Sequence, residues 1–138
     1  MTPAEYESLP ANLQRDVRVA LACGYGWERI RFVPKYACMF RPDRLYVQND
    51  PRLDQRGGPP ISITGWQRWQ PTTDTTIWTA LMDCGSGMHL SPYGCALWRA
   101  NYGDGNPNTD LCGPTKGEAV CACFVAADPL GHLGRAGV

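Results

Sequence analysis

The sequence predicts an α+β domain, about three amphipathic helices laid on a mainly antiparallel sheet. Apolar residues recur at helical spacing through Leu13 to Leu21, Ile77 to Met82 and Val120 to Ala127. Alternation marks strands around Ile30 to Phe32 and Trp98 to Tyr102, and the order helix, strands, helix, hairpin, helix suits a layered domain rather than a doubly wound parallel one.

Leu13, Val17, Ala20 and Leu21 follow i, i+4, i+7, i+8, with Asn12 the expected N-cap and Gly24 the expected stop. Ile30 and Phe32 then alternate with Arg29 and Arg31 up to Pro34, and Ala37 to Phe40 is a second short apolar run before the Pro42-Asp43 turn. Residues 48 to 60, rich in Asn, Asp, Gly and Pro, read as a long surface loop, and Ile61 to Ile63 as an edge strand. Pro71-Thr72-Thr73-Asp74 opens the second helix, capped by Thr72 or Thr73 and ended by Gly85, with Ile77, Trp78, Leu81 and Met82 as its apolar stripe. A hairpin follows, Met88 to Leu90 and Ala96 to Tyr102, turning at Ser91-Pro92-Tyr93-Gly94. Thr115 and Glu118 stand at capping-box spacing before a third helix whose face carries Val120, Phe124 and Ala127 and which Pro129 terminates. Residues 1–127 thus form one domain, and 128–138, with Pro129 and three glycines, a frayed tail.

At 138 residues the chain suits a single core. Thirteen basic side chains balance thirteen acidic ones, which excludes a global field drawing the molecule onto polyanions. No apolar run approaches the roughly 20 residues that span a bilayer, and the acidic start through Glu5 and Glu7 is unlike a signal peptide. Cytoplasmic residence and no membrane association are expected. Seven cysteines at scattered spacing read as buried free thiols rather than a disulfide framework. Cys121 and Cys123 fall about 200° apart on a helix, so no metal site is expected, nor any cofactor.

Gly26-Trp27, the Phe40-Arg41-Pro42-Asp43 turn, the Pro71 to Asp74 helix start, the Tyr93 to Tyr102 hairpin and Glu118-Ala119-Val120-Cys121 occur in this succession over roughly residues 9 to 127. That succession resembles the small phage and prophage proteins of the phage ABA sandwich domain family. The resemblance implies a bacteriophage origin, hence the host cytoplasm as location, and an α/β/α sandwich. It implies no activity, and the long 48 to 60 loop and extra cysteines depart from the family pattern.

Three constellations invite a chemical reading. Asp104, Asn106, Asn108 and Asp110 place oxygens at alternate positions as calcium loops do, but Thr109 and Thr115 stand where such a loop needs Gly and Glu, and turn geometry explains the same residues. Asp83, Cys84, Ser86, His89, Ser91 and Cys95 supply nucleophile and base types, so a small enzyme or ligand-binding domain using residues 83–95 is one alternative. Gly85-Ser86-Gly87 lacks a nucleophile elbow, however, and no catalytic residue is assigned. Residues 27 to 46 carry Arg29, Arg31, Lys35, Arg41 and Arg44 against Glu28 and Asp43, interleaved with aromatic rings. With Trp66 and Trp69 as candidate anchors, this strip is the expected partner-binding site. The function expected is therefore non-enzymatic: a phage accessory protein acting by binding a host or defence macromolecule, a protein before others, with inhibition of that partner as one form of the action. Nucleic-acid binding through the 29–44 strip is the other alternative, and homo-oligomerisation stays open.

Overall fold

The computed structural model describes residues 1–33, 44–48, 65–84 and 87–138. Its helices are α1 (Pro3–Glu7), α2 (Ala11–Cys23), α3 (Thr75–Met82), α4 (Lys116–Ala127) and α5 (His132–Ala136). Its strands are β1 (Ile30–Val33), β2 (Arg44–Gln48), β3 (Trp66–Arg68), β4 (His89–Tyr93), β5 (Leu97–Asn101) and β6 (Leu111–Gly113). The fold is α+β, as the sequence predicts, but among the described residues the strands form two antiparallel sheets of three, β1-β2-β3 and β4-β5-β6, rather than one. The expected 37–40 run, the 61–63 edge strand and the Gly85 stop lie outside the described residues.

The two central helices explain the packing. Val17, Val19, Ala20 and Leu21 of α2 are buried, and α2 packs on β2 and on α4. In α4, Ala119, Val120, Cys121, Cys123 and Phe124 are buried, and the helix covers β5 and β6 and packs against α3. One apolar cluster therefore includes Ile30, Leu45 and Val47 of the first sheet and Ala100 of the second.

Several ends differ from the sequence expectation for local reasons. Pro10, not Asn12, precedes α2, its carbonyl accepting from the Leu13 and Gln14 amides, while Gly24 closes the helix at φ 104°, a conformation glycine adopts freely. Asp74, not Thr72 or Thr73, caps α3 by accepting from the Thr76 amide at 3.0 Å. The hairpin turns later than expected. Tyr93 pairs with Leu97, so Ser91 and Pro92 belong to β4, an edge strand where proline's missing N–H is tolerated. Thr115 caps α4 by accepting from the Glu118 amide at 3.2 Å, but only this half of the capping box forms.

The tail is folded, not frayed. Asp128 caps its helix from outside, its carboxylate accepting from the Leu133 and Gly134 amides at 3.1 Å each, and Leu133 joins the core. The helix count thus exceeds the expected three because α1 and α5, five residues each, depend on such capping contacts more than on periodicity. The complete capping box of the molecule is at Thr2 and Glu5, on α1.

Candidate functional site

The first sheet has two chemically opposed faces. Directly opposed residues of an antiparallel pair share a face, and the register aligns Ile30 with Val47, Arg31 with Tyr46, Val33 with Arg44, Tyr46 with Arg68 and Gln48 with Trp66. One face thus carries Ile30, Leu45 and Val47 into the core. The other carries Arg31, Val33, Arg44, Tyr46, Gln48, Trp66 and Arg68, with Val33 and Tyr46 buried. Strands β1–β3 themselves contain no aspartate or glutamate.

The residues on this face are held, not loose. Arg31 is exposed and reaches over the central strand to Trp66, its Cζ 4.3 Å from the ring centroid. A guanidinium over an indole face is attracted by the ring quadrupole and keeps its edge donors outward. Tyr46 is buried between Arg31 and Arg68 in the register, and Trp66, Arg44 and Arg68 are half-buried. The Arg68 Nε is enclosed without a hydrogen-bond partner among the described residues.

Of the expected binding residues, the fold brings Arg31, Arg44 and Trp66 onto one face. Arg29 sits apart in the short 3₁₀ turn Trp27–Arg29 before β1, half-buried. Lys35 and Arg41 lie outside the described residues. Trp69 is a correction: it is 1% exposed, its indole N–H donates to the Asp16 carbonyl at 2.8 Å, and its ring meets Tyr25 edge-on. It cannot act as an exposed anchor because β3 ends at Arg68 and the chain turns inward, the Trp69 amide donating to the Leu45 carbonyl at 2.9 Å. Arg68 was the residue missed. The alternation Trp66-Gln67-Arg68 was its signal, once those residues are read as a strand.

In the 83–95 region the candidate groups sit in different surroundings, and contrary to the expectation of buried thiols Cys95 is exposed, as is Cys112 on β6. Cys84 is buried and burial pushes its thiol pKa up, with Asp83 adding to the rise, whereas His89 is exposed beside Gly103. Ser86 lies outside the described residues. Burial also raises the Cys23 thiol well above its ordinary value, raises Cys121, and pushes Cys123 up to about 12. These groups are neutral thiols, not thiolates, near neutral pH. Among the described residues no three His, Cys, Asp or Glu side chains gather as a metal site.

In the 104–110 loop the oxygens are committed to backbone turns. Asp104 accepts from the Asn106 amide and Asn106 from the Asn108 amide, both at 3.0 Å. Asp110 pairs with Arg99 through both oxygens, the Nε–Oδ1 contact being 2.7 Å, which holds its carboxyl below the usual range. No helix of the described residues is long and apolar enough to cross a membrane. Compared with family models, with curated proteins and with solved structures, the chain matches none.

Proposed function

We propose that the protein is a non-enzymatic phage accessory protein that acts in the host cytoplasm by binding, and so inhibiting, a host or defence protein through the arginine–tryptophan face of β1–β3. The phage origin and location come from the family resemblance of the sequence. The binding mode comes from one observation: Arg31 and Arg68 share a sheet face with Trp66, and the Arg31 guanidinium lies over the indole ring. Arginine and tryptophan are the residues that most often anchor protein interfaces, and an acidic partner surface complements guanidinium groups.

Arg31 stacked over Trp66 also favours a second reading, because guanidinium planes and indole rings both accept stacked bases. Affinity capture from bacterial lysate, with and without nuclease and at two salt concentrations, separates the two. A stoichiometric protein retained after nuclease treatment, and lost from an Arg31→Glu, Arg68→Glu double variant that melts like the parent, supports the protein-binding reading. Capture dominated by nucleic acid and abolished at moderate salt assigns the face to nucleic acid instead. A partner held equally by the double variant overturns both.

A further inference from the structure

The second sheet turns its outer face to solvent. Ala100 points into the core beneath α4, so its neighbours on β5 point the other way. By register, Ser91, Arg99 and Cys112 form the middle row of the outer face, with Tyr93 and Leu97 opposed at the hairpin end and Asn101 at the far end. Ser91 and Cys112 are exposed. Besides Val138, the exposed large apolar side chains among the described residues are Tyr93 at 51% and Leu97 at 41%, set side by side on this face. Such a pairing on an open sheet face marks an interaction surface rather than scattered exposure.

The same face carries a recess at its other end. A groove of about 350 Å³ lies where Arg99 and Asn101 meet the loop that leads from β5 to β6. Asn101 and Asn106 on its wall turn their side-chain oxygens to the Gly103 and Asn108 amides at 3.0 Å each, which leaves their amide N–H groups as donors toward a hydroxyl. From Leu97 at the hairpin end to Asn101 beside the groove, β5 runs roughly 14 Å. A projecting phenol and a polar groove thus stand at opposite ends of one face.

We propose that this face is the interface of a symmetric dimer, in which Tyr93 of each copy enters the groove of the other. A two-fold axis lying between the two faces and crossing the strands near Arg99 exchanges the two ends, so both contacts form at once. The residues of the middle row then lie close to the axis and meet their own counterparts. An unpaired cation there would repel its copy, but Arg99 is held by both oxygens of Asp110, so the row carries no net charge and can sit against itself. That charge pattern selects a second copy over a strongly acidic or basic partner, which would find no net charge in the middle of the face. The association is face to face because Pro92 blunts β4, an edge strand to which another strand would otherwise add. Three short strands make a small contact, at the transient end below about 1,200 Å² in total. The interface is separate from the arginine–tryptophan face and does not depend on what that face binds.

Sedimentation of the full chain over a range of concentrations tests this. The parent should pass from monomer to dimer as concentration rises. Tyr93→Ala and Leu97→Ser should melt like the parent, since both side chains are already in solvent, and should each raise the dimer dissociation constant at least tenfold. A short bismaleimide should join two chains through Cys112 in a Cys95→Ser background, which removes the other exposed thiol among the described residues, and the link should fade when Tyr93→Ala is added. A chain that stays monomeric up to about 1 mM, dimerisation unchanged in the folded Tyr93 and Leu97 variants, or a dimer whose Cys112 thiols the reagent does not join would overturn the assignment.

Discussion

The two sheets have the same strand count and the same antiparallel pairing, yet they use arginine in opposite ways. On β5 of the second sheet, Arg99 is neutralised by Asp110, supplied by the loop between β5 and β6. On the first sheet, Arg31 lies over an indole ring, and none of the three strands offers a carboxylate. The lesson is that arginine content does not mark a binding face. What distinguishes the two arginines is the group set beside each, a carboxylate for Arg99 and an indole ring for Arg31.

The sheets also differ in how they are anchored. The first buries Ile30, Leu45 and Val47 and hangs on Trp69 at the exit of β3, while the hairpin tip of the second leaves Tyr93 and Leu97 exposed. The largest expected effect tests this anchoring. Trp69→Ala should destabilise by about 3–5 kcal/mol, as should Phe124→Ala beneath the second sheet, because each empties a fully buried site. Trp66→Ala, at a half-buried position on the arginine face, should cost less than about 1 kcal/mol in stability while weakening partner binding. Denaturant midpoints at constant slope measure all three. Similar losses for Trp66 and Trp69 would erase the distinction between anchor and face.

A smaller effect is expected at the joint between helix and turn. Gly117→Ala places its methyl against the Thr72 backbone, which must move, and should cost about 1–3 kcal/mol. Below it comes Thr115→Ala, which removes the hydroxyl acceptor of the Glu118 amide and should cost about 1 kcal/mol. Both are read in the same unfolding experiment. A neutral Gly117 variant would show that the turn and α4 are less tightly joined than the contact implies.

Much of the helical part was legible in the sequence because it is local. The spacing of Leu13, Val17, Ala20 and Leu21, the Gly24 stop and the Thr115 cap act within a few residues. The division into two sheets was not legible, because β2 pairs back with β1 across residues 34–43 and forward with β3 across residues 49–65, and alternation says nothing about which distant strand is the neighbour. Trp66 and Trp69 show the same limit at the site. Three residues apart and both flanked by polar side chains, they part company only because β3 ends between them and Asp16 supplies an acceptor to the buried indole. The folded tail was missed because its capping carboxylate, Asp128, lies well before the helix it stabilises.

The last comparison sets Asp16 against Asp110, two arginine-paired carboxylates shifted in opposite directions. Burial raises the Asp16 pKa, outweighing the lowering by Arg15, with Glu118 of α4 adding to the rise. Hydrogen bonding to Arg99 lowers that of Asp110. Below the unfolded value Asp16 is neutral in both states and contributes no pH dependence. As pH rises from there through its folded value, ionisation favours the unfolded chain, so the fold loses stability. Asp110 does the reverse, contributing stability above its unfolded value that disappears as pH falls through its folded one. Asp16→Asn should therefore gain stability at pH 7 relative to pH 3, and Asp110→Asn should lose it, when both are compared with the parent by urea unfolding at each pH. Parallel behaviour of the two variants would mean that Arg15 compensates Asp16 as fully as Arg99 compensates Asp110.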